Sequence, residues 1–132
     1  MRGAARALLC AAPLVLLTAC QRDGAQQVVN VYSWPGYVAA DTLANFEAQT
    51  GIKANYSLLD TNQVLETRLL AGHSDYDVVV PGAAYVERLG LAGALRKLDK
   101  SQLPNLRNLD PAVMAAVQRE DPGNAYGVPY LW

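Results

Sequence analysis

The strongest constraint in this sequence is a hydrophobic period that switches repeatedly between two and three to four residues. Val28 to Trp34 is β-branched and aromatic, which suits a strand, and Pro35-Gly36 breaks it. Asp41 then offers a helix N-cap, Leu43 and Phe46 mark one apolar helical face, with Ala44 a possible third, and Gly51 is the expected left-handed stop. Ile52, Ala54, Tyr56 and Leu58 alternate, as a strand with one buried face does. Asp60-Thr61-Asn62 can cap a second helix whose stripe is Val64, Leu65, Leu69 and Leu70, closed by Gly72. Asp77-Val78-Val79-Val80-Pro81 is a short continuous apolar run between turn residues, the pattern of a central parallel strand covered on both faces.

A third helix follows over about Ala83 to Leu91. Gly93 to Asn108 reads as irregular, and Asp110-Pro111 opens a fourth helix through about Val117, with proline at the first turn. Asp121-Pro122-Gly123-Asn124 is a turn, and Ala125 to Leu131 reads as a last strand interrupted by Pro129. Strand followed by helix, three times over, predicts an α/β layer with a mainly parallel sheet and flanking helices. The strands are expected near 28–34, 53–59, 77–81 and 125–130, with Val31, Phe46, Leu65, Leu69, Val79 and Val80 buried. A chain of 132 residues holds one such domain, and its core is marginal in size.

The amino terminus reads differently. Arg2 and Arg6 precede an apolar run from Ala7 to Leu17, too short for a spanning helix, which needs about 20 residues. Residues 1–19 therefore read as a secretory signal. Leu17-Thr18-Ala19-Cys20 resembles the bacterial lipobox, in which the cysteine is acylated and becomes the first mature residue; the plainer alternative is an ordinary signal with an incidental cysteine. Residues 20–27 then form a polar lipidated tether, and the protein is expected in the periplasm, anchored to a membrane through Cys20. Once the signal, with Cys10, is removed, Cys20 is the only cysteine, so no intrachain disulfide is expected.

Composition narrows the function classes. With 52% hydrophobic and 17% charged residues the chain is not of the disordered type. Eleven basic against twelve acidic residues leave no electrostatic footprint for nucleic acid. Catalytic and cofactor motifs are absent: no Gly-x-Ser-x-Gly elbow, no dinucleotide fingerprint after the first strand and no phosphate loop. The single histidine, His73, lacks partners at metal-ligand spacing. Asp75 and Asp77 flank Tyr76 as turn residues at a strand entry rather than as an acid–base pair. No enzyme activity, metal or cofactor is expected.

What remains is aromatic. Tyr32, Trp34 and Tyr37 cluster where the first strand ends, and Pro81 to Tyr85 should open on the same edge. Ligands of open α/β sheets bind beyond the carboxyl ends of the strands, where aromatic faces can receive an organic cation. Strand alternation leaves open whether Trp34 lines such a site or packs as core.

The run Val31-Tyr32-Ser33-Trp34-Pro35-Gly36-Tyr37-Val38 resembles the opening of the polyamine-binding periplasmic proteins, the putrescine and spermidine receptors of bacterial ABC importers. Phe46 to Lys53, Asp60 to Leu69, Tyr76 to Pro81, Leu98 to Ser101, Asn108 to Pro111 and Val128 to Trp132 are similar to the same family, in order and at its spacing. The resemblance implies a periplasmic-binding-protein fold of the type II kind, with two lobes closing over a ligand by a hinge. Family receptors are well over twice this length, so residues 28–132 would be the N-terminal lobe, with the second lobe missing.

The resemblance also implies ligand contacts at Trp34 and Tyr37 and in the segment Gly82, Ala84 and Tyr85, carboxylates supplied mostly by the other lobe, and a membrane permease as partner. Two departures stand out. Pro35 and Gly36 replace a polar and an acidic residue common in the family, and Gly82 stands where serine is frequent. Both remove polar contacts and leave the choice between putrescine and spermidine open. The rival reading from another class is a lipoprotein with an apolar face for assembly or adhesion.

Overall fold

The computed structural model describes residues 26–72 and 74–131. The signal segment 1–19, Cys20 and most of the tether, His73 and Trp132 lie outside the described residues.

Strand β1 (Val28–Ser33) leads through helix α1 (Thr42–Thr50) to β2 (Lys53–Leu58), then α2 (Asn62–Leu70), β3 (Val78–Val79) and α3 (Ala83–Leu91). Short 3₁₀ turns at Lys100–Gln102 and Pro104–Asn108 precede α4 (Pro111–Val117). The sheet order is β2-β1-β3, and both pairings are parallel, with Val31 opposite Tyr56 on one side and Val78 on the other. Parallel neighbours need crossover helices, and α1 and α2 are those crossovers.

Local chemistry explains most boundaries. Thr61 caps α2 by accepting from the Val64 amide at 3.2 Å, and Asp110 caps α4 by accepting from Ala112 and Val113. Gly51 ends α1 at φ 72°, a conformation that a β-carbon would strain. The core is small: Tyr32, Leu59, Leu65, Leu69 and Leu89 are buried, with Trp34, Tyr76, Val79 and Tyr85 packed against them. Tyr32 stacks on Tyr76 at 4.4 Å, and the Arg68 guanidinium lies 5.3 Å from the Tyr32 ring.

Five expectations need correction. Residues 125–130 form no strand, because the amides of Ala125, Tyr126 and Gly127 donate to the Asp121 carboxylate instead of to a ladder, and Pro129 has no amide to give. The strand expected over 77–81 is not central: β1 is, and β3 is an edge of the described sheet with Val78 46% exposed. Phe46 is exposed, because α1 packs against β2 and buries none of its own residues. Val31, Val79 and Val80 are half-buried rather than buried. Finally, Asp41 makes no cap bond; its carboxylate accepts from the Asn45 side chain at 3.1 Å.

Candidate functional site

β1 and β3 run out side by side, and a groove of about 930 Å³ extends along β3 and past the carboxyl ends of both strands. Trp34, Tyr37, Val80 and Gly82 line one part of it, and the segment Tyr126–Leu131 lines another.

Trp34 follows directly on β1, and neighbouring strands hold it from two sides. Its indole Nε1–H donates to the Val80 carbonyl at 2.8 Å, and its own carbonyl accepts from the Tyr56 hydroxyl at 2.9 Å. Trp34 is half-buried: it packs against the core and also lines the groove. Gly36 takes φ 75°, which lets the chain reverse after Pro35 and places the Tyr37 ring 6.3 Å from that of Trp34, tilted by 40°. Tyr32, the third aromatic of the cluster seen in the sequence, is 1% exposed and belongs to the core.

Gly82 sits where β3 turns into α3. Its amide donates to Asn62 Oδ1 at 2.8 Å, and a β-carbon there would lie 3.4 Å from Asn62 Nδ2. The carboxamide of Asn62 therefore occupies the side of the groove next to Gly82. Ala84 and Tyr85 are not brought into the lining. Ala84 is exposed, while Tyr85 packs on the core with the Arg88 guanidinium 4.9 Å from its ring.

Three contributors were not singled out in the sequence. Asn62 reads there as a helix cap. Asp121 is 4% exposed and accepts from the Ala125, Tyr126 and Gly127 amides at 2.8–3.2 Å, which folds the segment that walls the groove. Tyr130 donates its hydroxyl to the Tyr37 carbonyl, with the two rings 6.0 Å apart. The Asp-Pro-Gly-Asn turn was a visible signal for the second; nothing local signals the third, since its partner is 93 residues away.

The groove lining carries Asp77, Arg96, Lys97, Asp99, Glu120 and Asp121, and two more of these carboxylates besides Asp121 have structural partners. Asp77 Oδ2 accepts from the Asn30 amide at 2.8 Å, which aligns β3 on β1. The Asp99 carboxyl is held below its ordinary value, chiefly because the Ser101 hydroxyl donates to it at 2.6 Å, helped by the Ser101 amide. Among the described residues no group of three or more His, Cys, Asp or Glu could hold a metal ion, and no helix is long and apolar enough to cross a membrane. Beside these charged groups the groove has aromatic and aliphatic walls at Trp34, Tyr37, Val80 and Tyr130, surfaces on which a methylene chain is buried and a cation can meet a π face.

No family model matches the chain. Among curated proteins it is 47% identical over 107 residues to the putrescine-binding periplasmic protein PotF of Escherichia coli, a match covering 81% of this chain and 29% of PotF. It is 48% identical over 106 residues to the putrescine-binding periplasmic protein SpuD of Pseudomonas aeruginosa, covering 80% and 29%. The spermidine/putrescine-binding periplasmic protein of Salmonella typhimurium is 35% identical over the whole chain, which spans 38% of it. This chain thus spans about a third of the length of the curated relatives it matches. Among solved structures, PotD of Streptococcus pneumoniae superposes with a TM-score of 0.75 at 29% identity, over 80% of this chain and 32% of PotD. The TpPotD lipoprotein of Treponema pallidum does so with a TM-score of 0.74 at 30% identity, over 80% and 33%. In sequence and in fold, the chain is therefore similar to about a third of the length of polyamine-binding periplasmic proteins.

Proposed function

We propose that the protein carrying this chain is the substrate-binding component of an ABC importer and captures putrescine or another polyamine in the periplasm. The observation that carries the reading is the Trp34–Tyr37 pair, side by side on a groove at the carboxyl ends of β1 and β3. A polyamine is a methylene chain bearing ammonium groups. Its methylenes gain from aromatic burial, and its charges are attracted to ring faces. In this reading Trp34 and Tyr37 form the aromatic wall, the Gly82 turn borders it, and Ala84 and Tyr85 stand beside it on the first turn of α3. Carboxylates from a second lobe complete the site, and closure of the two lobes presents the loaded receptor to a membrane permease.

The test is calorimetry on the full-length protein with putrescine, spermidine and an uncharged diol of equal length. The polyamines bind and the diol does not. Trp34→Ala weakens binding by about 1–3 kcal/mol through lost aromatic area and cation–π attraction. Equal binding of the diol, or unchanged affinity in Trp34→Ala, would sink the assignment.

Residues 1–19 act in this reading as the export signal and Cys20 as the site of a lipid anchor that precedes the tether and the lobe at 28–132. The Leu-Thr-Ala-Cys motif supports this, and the Treponema pallidum relative is itself described as a lipoprotein. Metabolic labelling with a fatty-acid analogue, lost in Cys20→Ala, is the expected result; label that persists in the variant refutes acylation at Cys20.

A further inference from the structure

Tyr130 lies in an irregular segment and is 53% exposed. A tyrosine so placed ordinarily turns its hydroxyl to water. Here the hydroxyl donates to the carbonyl of Tyr37, and its ring lies 6.0 Å from the Tyr37 ring at 39°. The turn that carries Tyr37 holds itself weakly: its one backbone bond, Tyr37 amide to Trp34 carbonyl, is long at 3.4 Å, and Gly36 gives it no side chain.

The segment that carries Tyr130 is anchored firmly. The Asp121 carboxylate gathers the amides of residues 125–127, and the Tyr126 ring presses against Gly90 of α3. A weakly held turn is therefore tied, through one phenol, to a segment fixed on α3.

From this we infer that Tyr130 is a positioning residue of the ligand site. Its hydroxyl fixes the turn that aims Tyr37 into the groove, and its ring extends the row Trp34, Tyr37, Tyr130. The ligand part of this assignment rests on the polyamine reading; the hold on Tyr37 does not.

The experiment compares Tyr130→Phe and Tyr130→Leu with wild type in the full-length protein. Amide hydrogen exchange is read without ligand, and putrescine affinity by calorimetry. Tyr130→Phe speeds exchange at the Tyr37 amide about three- to tenfold and weakens putrescine by a similar factor, the range of one net hydrogen bond. The amides of β1 and α3 keep their wild-type rates, which a general loss of stability would not allow. Tyr130→Leu loses further affinity because the ring is gone.

Unchanged exchange at the Tyr37 amide in Tyr130→Phe overturns the positioning role. Faster exchange with unchanged affinity overturns its part in the site. A wild-type protein that binds no polyamine defeats the ligand reading, and the exchange result still decides whether Tyr130 holds Tyr37.

Discussion

A β-carbon on Gly90 would lie 2.8 Å from Cε2 of Tyr126. Helix α3 and the loop after Asp121 meet there with nothing between backbone and ring. Two effects oppose each other in Gly90→Ala. Alanine favours a helix over glycine by about 1 kcal/mol, whereas overpacking a buried contact costs about 1–3 kcal/mol. The contact wins, and the variant is expected to lose about 1 kcal/mol in urea unfolding. A more stable variant would show that the Tyr126 ring steps aside freely.

Asp121→Ala leaves the amides of Ala125, Tyr126 and Gly127 without their acceptor inside the fold. A loss of about 2–3 kcal/mol is expected, since hydrogen bonds to a charged group are the stronger kind. Asp121→Asn keeps one acceptor oxygen and should lose less. Denaturant midpoints for the pair check the order, and equal losses would contradict it.

Leu65 and Phe46 stand in similar apolar stripes of successive helices, yet Leu65 is fully buried and Phe46 is 37% exposed. Leu65→Ala should destabilise by about 2–5 kcal/mol, the range for a core cavity. Phe46→Ala should cost about 1 kcal/mol, because much of its surface is already in water. Thermal unfolding of both variants reads the difference directly.

Asp99 offers a titration test. Its carboxyl is lowered from 3.8, first by the Ser101 hydroxyl and then by the Ser101 amide. Because the folded-state value is the lower one, its contribution to stability is present above pH 3.8 and is lost as pH falls through the lowered value. In Ser101→Ala the carboxyl should titrate closer to its ordinary value by carbon-detected NMR. No movement would place the cause elsewhere.

How far the fold was legible follows from the range over which each signal acts. Helices α2 and α4 begin within a residue of where Thr61 and Asp110 place them, because caps are decided by adjacent residues. That Trp34 and Tyr37 stand past the end of a parallel strand was legible, whereas alternation left open whether Trp34 packs as core or faces a groove, and it does both. Residues 125–130 were misread because alternation cannot reveal that a buried carboxylate four to six residues back collects the amides a ladder would need. Phe46 was misread because an apolar stripe states what a helix can bury, not whether another surface lies opposite. Tyr130 was out of reach for another reason: a contact across 93 residues leaves no local mark.

The hydrogen bonds that fix the aromatic row have a consequence for selectivity. The Trp34 indole N–H is engaged by Val80 and the Tyr130 hydroxyl by Tyr37. Among the described residues, the Tyr37 hydroxyl is the one polar group of the three rings without a partner. The row thus has one hydrogen-bond donor left uncommitted, on Tyr37, while both phenol oxygens keep lone pairs with which to accept. On the proposed polyamine reading, the rings would meet an ammonium group as acceptors and as π faces, and would have little to offer a guest that needs donors.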